Sequence, residues 1–594
     1  MSLVNPDGPE PVGSIVPPPQ DVEQKPKGAE VVTDNASHSS GHESEKSETF
    51  QNGVERVRAI TTIWSKATLI SMFVLLYLIS FVDMLQNYID TALNPYITSS
   101  FGKHGLLTVG TVISTALGGC IPLFTAKAID VWGRVEGFIF MLLLAVVGMI
   151  MKAVCKNIET YIAAHVLYWT GHIGVMYVVD VMCADITTLK NRMIIFGING
   201  TPRIAATFAA PKIAELFYTN LNFRWAFGAF IIILVACSMP AMGVMVFMYL
   251  KARKAGLAKK ERSGRNIAQS LAHYFVEFDV FGILLLMLAY CLFILPFTLV
   301  SYAPNGWKTG YIIAMIVLGI FLFPCFALFE MHVAPVPFLP WKYLKDRTII
   351  GSCVLPGVMF LSIFSWNAYF GSYLQVVHRL SITNANYVLN AFSLTSSVFG
   401  PLFGLLISKT GNFKYIAYTG VPITLLGTAL LIPFRAPSTN PGVLAFTQIL
   451  CGLGTGIFAT CAQIAIFAPV THQQIAVVSA IQGLFSGFGS SIGYSISGAM
   501  WNNILPTQLY ERLPEESKSR AAEIFGSIVV QQSFADGTPE REAIVAAYAH
   551  VQRLMVIAGA CFIPLCILSI FFWRNINVKN LEEEKGKQTK GMVF

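Results

Sequence analysis

Apolar residues fall along this chain in runs of about 20, the length that carries an α-helix across a hydrocarbon layer about 30 Å thick. Such runs begin near Leu69, Leu106, Val135, Tyr161, Met193, Trp225, Phe278, Thr309, Thr348, Asn384, Tyr415, Val443, Ile475 and Val551. They predict an all-α integral membrane protein of fourteen helices. The polar stretches between them set the domain plan. Residues 1–67, rich in Pro, Ser, Glu and Lys, read as a disordered cytoplasmic tail. Residues 68–250 carry spans one to six and 251–277 a basic loop. Residues 278–504 carry spans seven to thirteen, two of them extra to a pair of six-helix bundles. Residues 505–550 form an outer segment with helical periodicity, read as a cap or as a plain surface loop, before span fourteen at 551–574 and a tail at 575–594.

Charge sets the orientation. The stretch 251–265, KARKAGLAKKERSGR, holds seven basic residues against one glutamate and follows span six, which places it in the cytoplasm. Arg134, Lys190, Arg192, Lys342, Lys345, Arg347, Lys409 and Lys414 fall in loops of the same parity, so both termini are expected inside. Lys152, Lys156 and Arg224 are then assigned to outer loops. Composition agrees with a membrane protein: 54% hydrophobic residues, 12% charged residues and a net charge of +8 that follows the topology and gives no support to nucleic-acid binding. The eleven cysteines lie in or at the ends of apolar runs, where packing explains them better than a disulfide framework. The first run starts after about 67 residues, so span one is expected to act as its own targeting signal.

Charges inside spans cost about 2.5 to 3.5 kcal/mol each on insertion scales, so those that persist face the bundle interior or a cavity. On span one, Asp83, Gln86, Asn87 and Asp90 share one stripe, read as substrate or proton contacts or as a structural hydrogen-bond network. Span four repeats the pattern with His165, Trp169, His172 and Asp180. Histidine titrates near pH 6.5 and burial raises a carboxyl toward that range, so Asp83, Asp90, His165, His172 and Asp180 are the candidates for proton coupling. His165 and His172 stand about 10 Å apart along a helix rising 1.5 Å per residue, too far to share a bare ion that sits about 2 Å from each ligand. Any metal carried along this stripe must arrive wrapped in a chelator. On span five Asn199 and Arg203 share a face beside Pro202 and Pro211, and Arg203 is read either as a partner for Asp180 or as a substrate contact. Trp366, Tyr369, Phe370 and Tyr373 recur at helical spacing on span nine, as a binding wall or as packing. With Gln86, Asn87, Trp169 and Arg203 they make up the expected substrate cavity. Gly483, Gly487, Gly489 and Gly493 on span thirteen suit close helix packing. No phosphate-binding P-loop and no nucleophile with a base are found, so neither nucleotide hydrolysis nor enzyme chemistry is expected, and no cofactor or protein-held metal.

The turn GGCIPLFTAKAIDVWGRVEG at 118–137 sets Asp130, Gly133 and Arg134 between two spans. A carboxylate and guanidinium so spaced can latch two helices at the cytoplasmic face, and glycine lets the backbones approach. It resembles the G-x-x-x-D-x-x-G-R loop of the major facilitator superfamily, with Ala126 for the first glycine and Val131 for an arginine. A degenerate copy, Gly404, Ser408, Lys409, Gly411 and Lys414, supports an internal repeat with a site between two halves. Ile97 to Leu107, Pro122, Tyr168 to Gly174 and Ala184 to Arg192 make the chain similar to the fungal siderophore-iron transporters of that superfamily, over most of residues 60–575. The resemblance implies a monomeric fourteen-helix symporter that imports ferric siderophores with protons across the plasma membrane, with endosomal vesicles as a second location. Multidrug exporters instead expect an arginine where Leu167 stands and glycine-proline-glycine where Ala209 to Ala214 read AAPKIA. A proton-driven exporter of drugs or glutathione-like solutes and a transporter-shaped nutrient receptor stand as alternatives.

Overall fold

A computed structural model describes residues 64–187, 195, 198–255, 266–337, 339, 341–470 and 475–577. The expected N-terminal tail up to residue 63, Lys190, Arg192, positions 256–265 of the basic loop and the tail beyond 577 lie outside them.

The long helices start where side chains can satisfy the first free backbone amides. Ser65 caps α1 (Lys66–Ser100), Asn157 caps α4 (Ile158–Asp185), Asn222 caps α6 (Phe223–Lys254) and Asp346 caps α9 (Arg347–Asn367), each accepting from backbone N–H groups one turn in. α2 (Leu107–Val131), α3 (Arg134–Val154) and α5 (Pro202–Asn220) complete the first six. α7 (Val280–Leu299) and α8 (Gly310–His332) follow, then α9, its continuation α10 (Phe370–Val377), α11 (Ile382–Thr410), α12 (Phe413–Phe434), α13 (Pro441–Phe467), α14 (Ile475–Arg512), and α15 (Pro539–Phe562) continued by α16 (Leu565–Phe571).

Two six-helix halves repeat one packing plan. In α1–α6 the third helix packs on the fourth, the first on the fifth and sixth, and the second on the fourth; the same ordinal pairs recur in α9–α16. The halves join through α2 against α14 and α5 against α11. α7 lies along the α2–α14 seam and carries α8, whose Ile313, Val317, Leu318 and Phe321 stay exposed. Apolar side chains on such a helix face lipid, because hydrocarbon offers no hydrophobic penalty that helix packing would relieve.

Among the described residues twelve helices are long and apolar enough to cross a membrane, against fourteen expected. The other two expected spans correspond to α5 and α14, which are both helical and both lie in the seams between halves; α5 carries Arg203, Lys212 and Glu215, and α14 is rich in Gly and Ser. Small residues there let backbones meet: an added Cβ at Gly487 would strike Thr115 O and Gly119, and one at Gly489 or Gly493 would strike Gly357 or Leu361. The outer segment differs from expectation too, since α14 runs to Arg512 and the last span begins at Pro539, capped by Thr538. Residues between them fold back in two short helices, Ala521–Gly526 and Ile528–Ser533, and bury Leu513, Ile524 and Ile528.

Candidate functional site

The stripe on α1 and the stripe on α4 face one another. Asp83 lies with Oδ2 2.6 Å from His172 Nδ1, and both are buried. Two turns on, Asp90 Oδ2 lies 3.5 Å from His165 Nδ1. The periodicity brought four of the five proton-coupling candidates together as two carboxyl–imidazole pairs, an arrangement in which a proton can be shared within each pair.

The second pair contains a partner the sequence reading misplaced. Lys152, assigned to an outer loop, lies inside α3 with no solvent exposure. Its Nζ donates to Asp90 Oδ1 at 2.6 Å and lies 2.9 Å from His165 Nδ1. The rings of Tyr168, Phe227 and Tyr161 surround it at 4.6, 5.3 and 5.4 Å from their centroids. A buried ammonium is tolerated when a carboxylate and aromatic faces replace its water. The signal in the sequence was a lysine still two residues short of the helix end, but its counter-ion 62 residues earlier is set by packing alone.

Gln86 and Asn87 lie between Asp83 and Asp90 along α1. Both amide atoms of Gln86, Nε2 and Oε1, and Nδ2 of Asn87 are buried without a protein partner, and Trp169 is half-buried, stacked 6.1 Å from His165. Asp180, the fifth candidate, sits apart and exposed; its Oδ1 accepts from Asn199 Nδ2 at 3.1 Å, and Asn199 Oδ1 accepts from Ser80 at 3.0 Å. Arg203 is exposed one turn beyond Asn199. The aromatic stripe of α9 and α10 is entirely buried in this conformation: Trp366, Phe370 and Tyr373 surround Arg435, and Tyr369 stacks on Trp501 at 4.1 Å. Arg435 had not been picked out, since it follows the last apolar residue of its run.

Residues 75–494 match the Major Facilitator Superfamily. Among curated proteins, the chain is 57% identical over 92% of its length and 94% of the relative's to MFS siderochrome iron transporter 1 of Ajellomyces capsulatus. It is 39% identical to Siderophore iron transporter mirB of Emericella nidulans, over 99% of this chain and 97% of that one. The chain belongs to the siderophore-iron transporter family of the major facilitator superfamily. A crystal structure of the peptide transporter POT covers 84% of this family member and 95% of its own chain, with a TM-score of 0.52 at 16% identity, which shows the shared fold.

The turn motif that marks the superfamily forms a three-membered clasp in this siderophore-iron transporter relative. Arg134 NH1 donates to Asp130 Oδ1 at 2.5 Å and to Ile129 O at 3.0 Å, and its Nε donates to Asp185 Oδ2 at 3.0 Å. Asp185, a partner that no local sequence pattern singles out, ends α4, so the guanidinium ties three helices. Gly133 holds φ at +125°, where a side chain is strained, and Gly411 at the matching turn between α11 and α12 holds +76°. The degenerate second motif thus keeps a glycine of positive φ where its aspartate has gone, in a different conformation: ψ is 160° at Gly133 and −7° at Gly411.

At the opposite end the halves are tied together. Tyr96 donates to Gln375 Oε1, Tyr369 donates to Gly105 O at 3.0 Å, and Thr383 N donates to Glu215 at 2.9 Å. The folded-back segment seals this end: Ile528 N donates to Ser99 Oγ at 3.0 Å, while Arg379 donates to Gln532 O, Phe534 O and Asp536.

Proposed function

We propose that this chain is a proton-coupled symporter that imports ferric siderophores of the hydroxamate type across the plasma membrane. The observation that carries the reading is the buried row Asp83–His172 and Asp90–Lys152–His165, on a chain whose curated relatives are named as siderophore iron transporters. Both pairs bridge α1 and α4, so loading or removing one proton changes the attraction between two helices that line the space between the halves. Gln86, Asn87 and Trp169 offer the amide and aromatic surface that suits the uncharged hydroxamate core wrapped around iron. With both termini in the cytoplasm, the end sealed by Tyr96, Tyr369 and the folded-back segment faces outside. The Asp130–Gly133–Arg134 clasp then works at the inner gate, with Asp180 and Arg203 accessible from the cytoplasm.

Uptake of radiolabelled iron, presented as several ferric hydroxamates to cells lacking their own siderophore transporters, tests this with and without a protonophore. Accumulation of one chelate that collapses with the protonophore is the expected result. Iron accumulation unchanged by the protonophore, or pH-dependent uptake left intact by Asp83→Asn, Asp90→Asn and Asp180→Asn alike, would sink the proton assignment. No accumulation despite surface expression would sink import itself.

A further inference from the structure

The third helix of each half delivers one basic residue to equivalent surroundings. α3 brings Lys152 and the end of α12 brings Arg435, and both are fully buried among aromatic rings. The Arg435 guanidinium lies 3.7 Å from the Phe370 centroid, 5.3 Å from Tyr373 and 5.6 Å from Trp366. Here the two halves part. Lys152 meets Asp90 on the first helix of its half and His165, seven residues into the fourth. The first helix of the other half presents only the aromatic faces, and the position seven residues into α13 is Gln448. All three nitrogens of Arg435 lack an acceptor among the described residues, and both amide atoms of Gln448 lack a hydrogen-bond partner there too.

A buried guanidinium with five donors and no oxygen to receive them is an incomplete ion pair. Aromatic faces hold its charge but take none of its hydrogen bonds. Its field is felt locally: burial, and then Arg435, hold the His378 imidazole below its usual range, and His378 Nε2 is also without a partner. The cage sits at a helix break. The helix breaks between Asn367 and Phe370, in the middle of the aromatic stripe, and Asn367 Oδ1 is a further unpaired buried acceptor. Broken helices with free polar groups are where transporters of this kind of architecture hold their cargo.

We propose that Arg435 binds a carboxylate carried by the transported ferric chelate, so that the cargo supplies in one half the counter-charge that Asp90 supplies in the other. This rests on the transport reading above and narrows it to chelates with a free acid. The planar guanidinium fork takes a carboxylate through two parallel N–H···O bonds, which an ammonium cannot copy. The cage lies at the sealed end, so the chelate reaches Arg435 when that end opens and α10 swings on the break. When the cargo leaves, the guanidinium returns to its rings.

The test uses a ferric trihydroxamate with one free carboxylate and the same chelate as its methyl ester. Binding to the purified full-length protein is read by quenching of tryptophan fluorescence, and uptake is read in cells. Wild type is expected to bind the acid at least ten-fold more tightly than the ester, R435Q to lose that preference while still binding the ester within about two-fold of wild type, and R435K to retain part of it. Should R435Q not reach the membrane, R435K carries the measurement. An acid-to-ester ratio near one in wild type, or a ratio unchanged in the variants, overturns the proposal, as does equal loss of both ligands. Ester uptake that requires added chloride, with the requirement abolished in R435Q, also overturns it by giving the site to a free anion. Because binding is measured apart from uptake, acid-selective binding without iron accumulation would condemn the import reading and leave Arg435 standing.

Discussion

Lys152 and Asp90 stabilise the fold only as a pair. Removing one partner of a buried ion pair leaves an uncompensated charge and costs about 3–5 kcal/mol, whereas replacing both by uncharged groups of similar size is near neutral. K152M is therefore expected to lower surface expression several-fold, and D90N/K152M to recover most of it, as read by surface labelling. Normal expression of K152M would show that the pair carries no structural load. The double variant is still expected to fail in protonophore-sensitive uptake, because it removes one of the carboxyls proposed for proton coupling. The Asp83, Asp90, His165 and His172 cluster was legible from the sequence because period and polarity on a helix survive any packing. Lys152, Arg435 and Asp185 were not, because their partners lie on other helices and the same residues at span ends fit a loop equally well.

Elements show the same division. The glycines of α14 were readable as packing positions, but the sequence could not say that they serve two neighbours at once, α2 on one face and α9 on the other. Gly489→Val should force α14 off Gly357, an overpacking strain of about 1–3 kcal/mol or more, and lower the yield of folded protein. Gly483→Ala, with nothing within 4 Å of the added carbon, should be tolerated; size-exclusion profiles of the two variants decide this. The folded-back segment is clasped by Arg379 on Asp536, whose hydrogen bond and charge hold that carboxyl below its usual range. A carboxyl depressed in the folded state contributes stability above its unfolded value of about 3.9 and loses it only as the pH falls through the lower folded value. The clasp is thus expected to stay closed in a medium at about pH 5, and D536N to speed protease cleavage within 513–538 of intact cells at that pH. Equal cleavage of D536N and wild type would refute the clasp.

At the scale of the molecule, transport requires the end sealed by Tyr96, Tyr369 and Ser99 to open. Ser99 Oγ lies 3.0 Å from Ile528 N, so cysteines placed at both positions should crosslink under external oxidant and hold the end shut. Iron uptake by S99C/I528C is expected to stop on oxidation and return on reduction, with single variants unaffected. Uptake that survives a crosslink proven by mass spectrometry would place the moving parts elsewhere. The duplicated plan also carries a difference of charge. One half is neutralised by its own aspartate, whereas Arg435 in the other has no acceptor among the described residues.

The sequence by itself determined that the chain is a helical membrane protein with an internal repeat, which turn marks its superfamily, and which faces of α1 and α4 are polar. Those properties follow from hydrophobic period, charge placement and glycine chemistry, all of them local to a segment. Tertiary structure decided that α5 and α14 are seam helices, that the segment between α14 and α15 folds back over the closed end, and that Lys152 is a buried partner of Asp90. It also decided that the aromatic stripe encloses Arg435. Each of these depends on groups tens to hundreds of residues apart, and a span of apolar sequence fixes where a helix runs without fixing which neighbour meets its polar side chains.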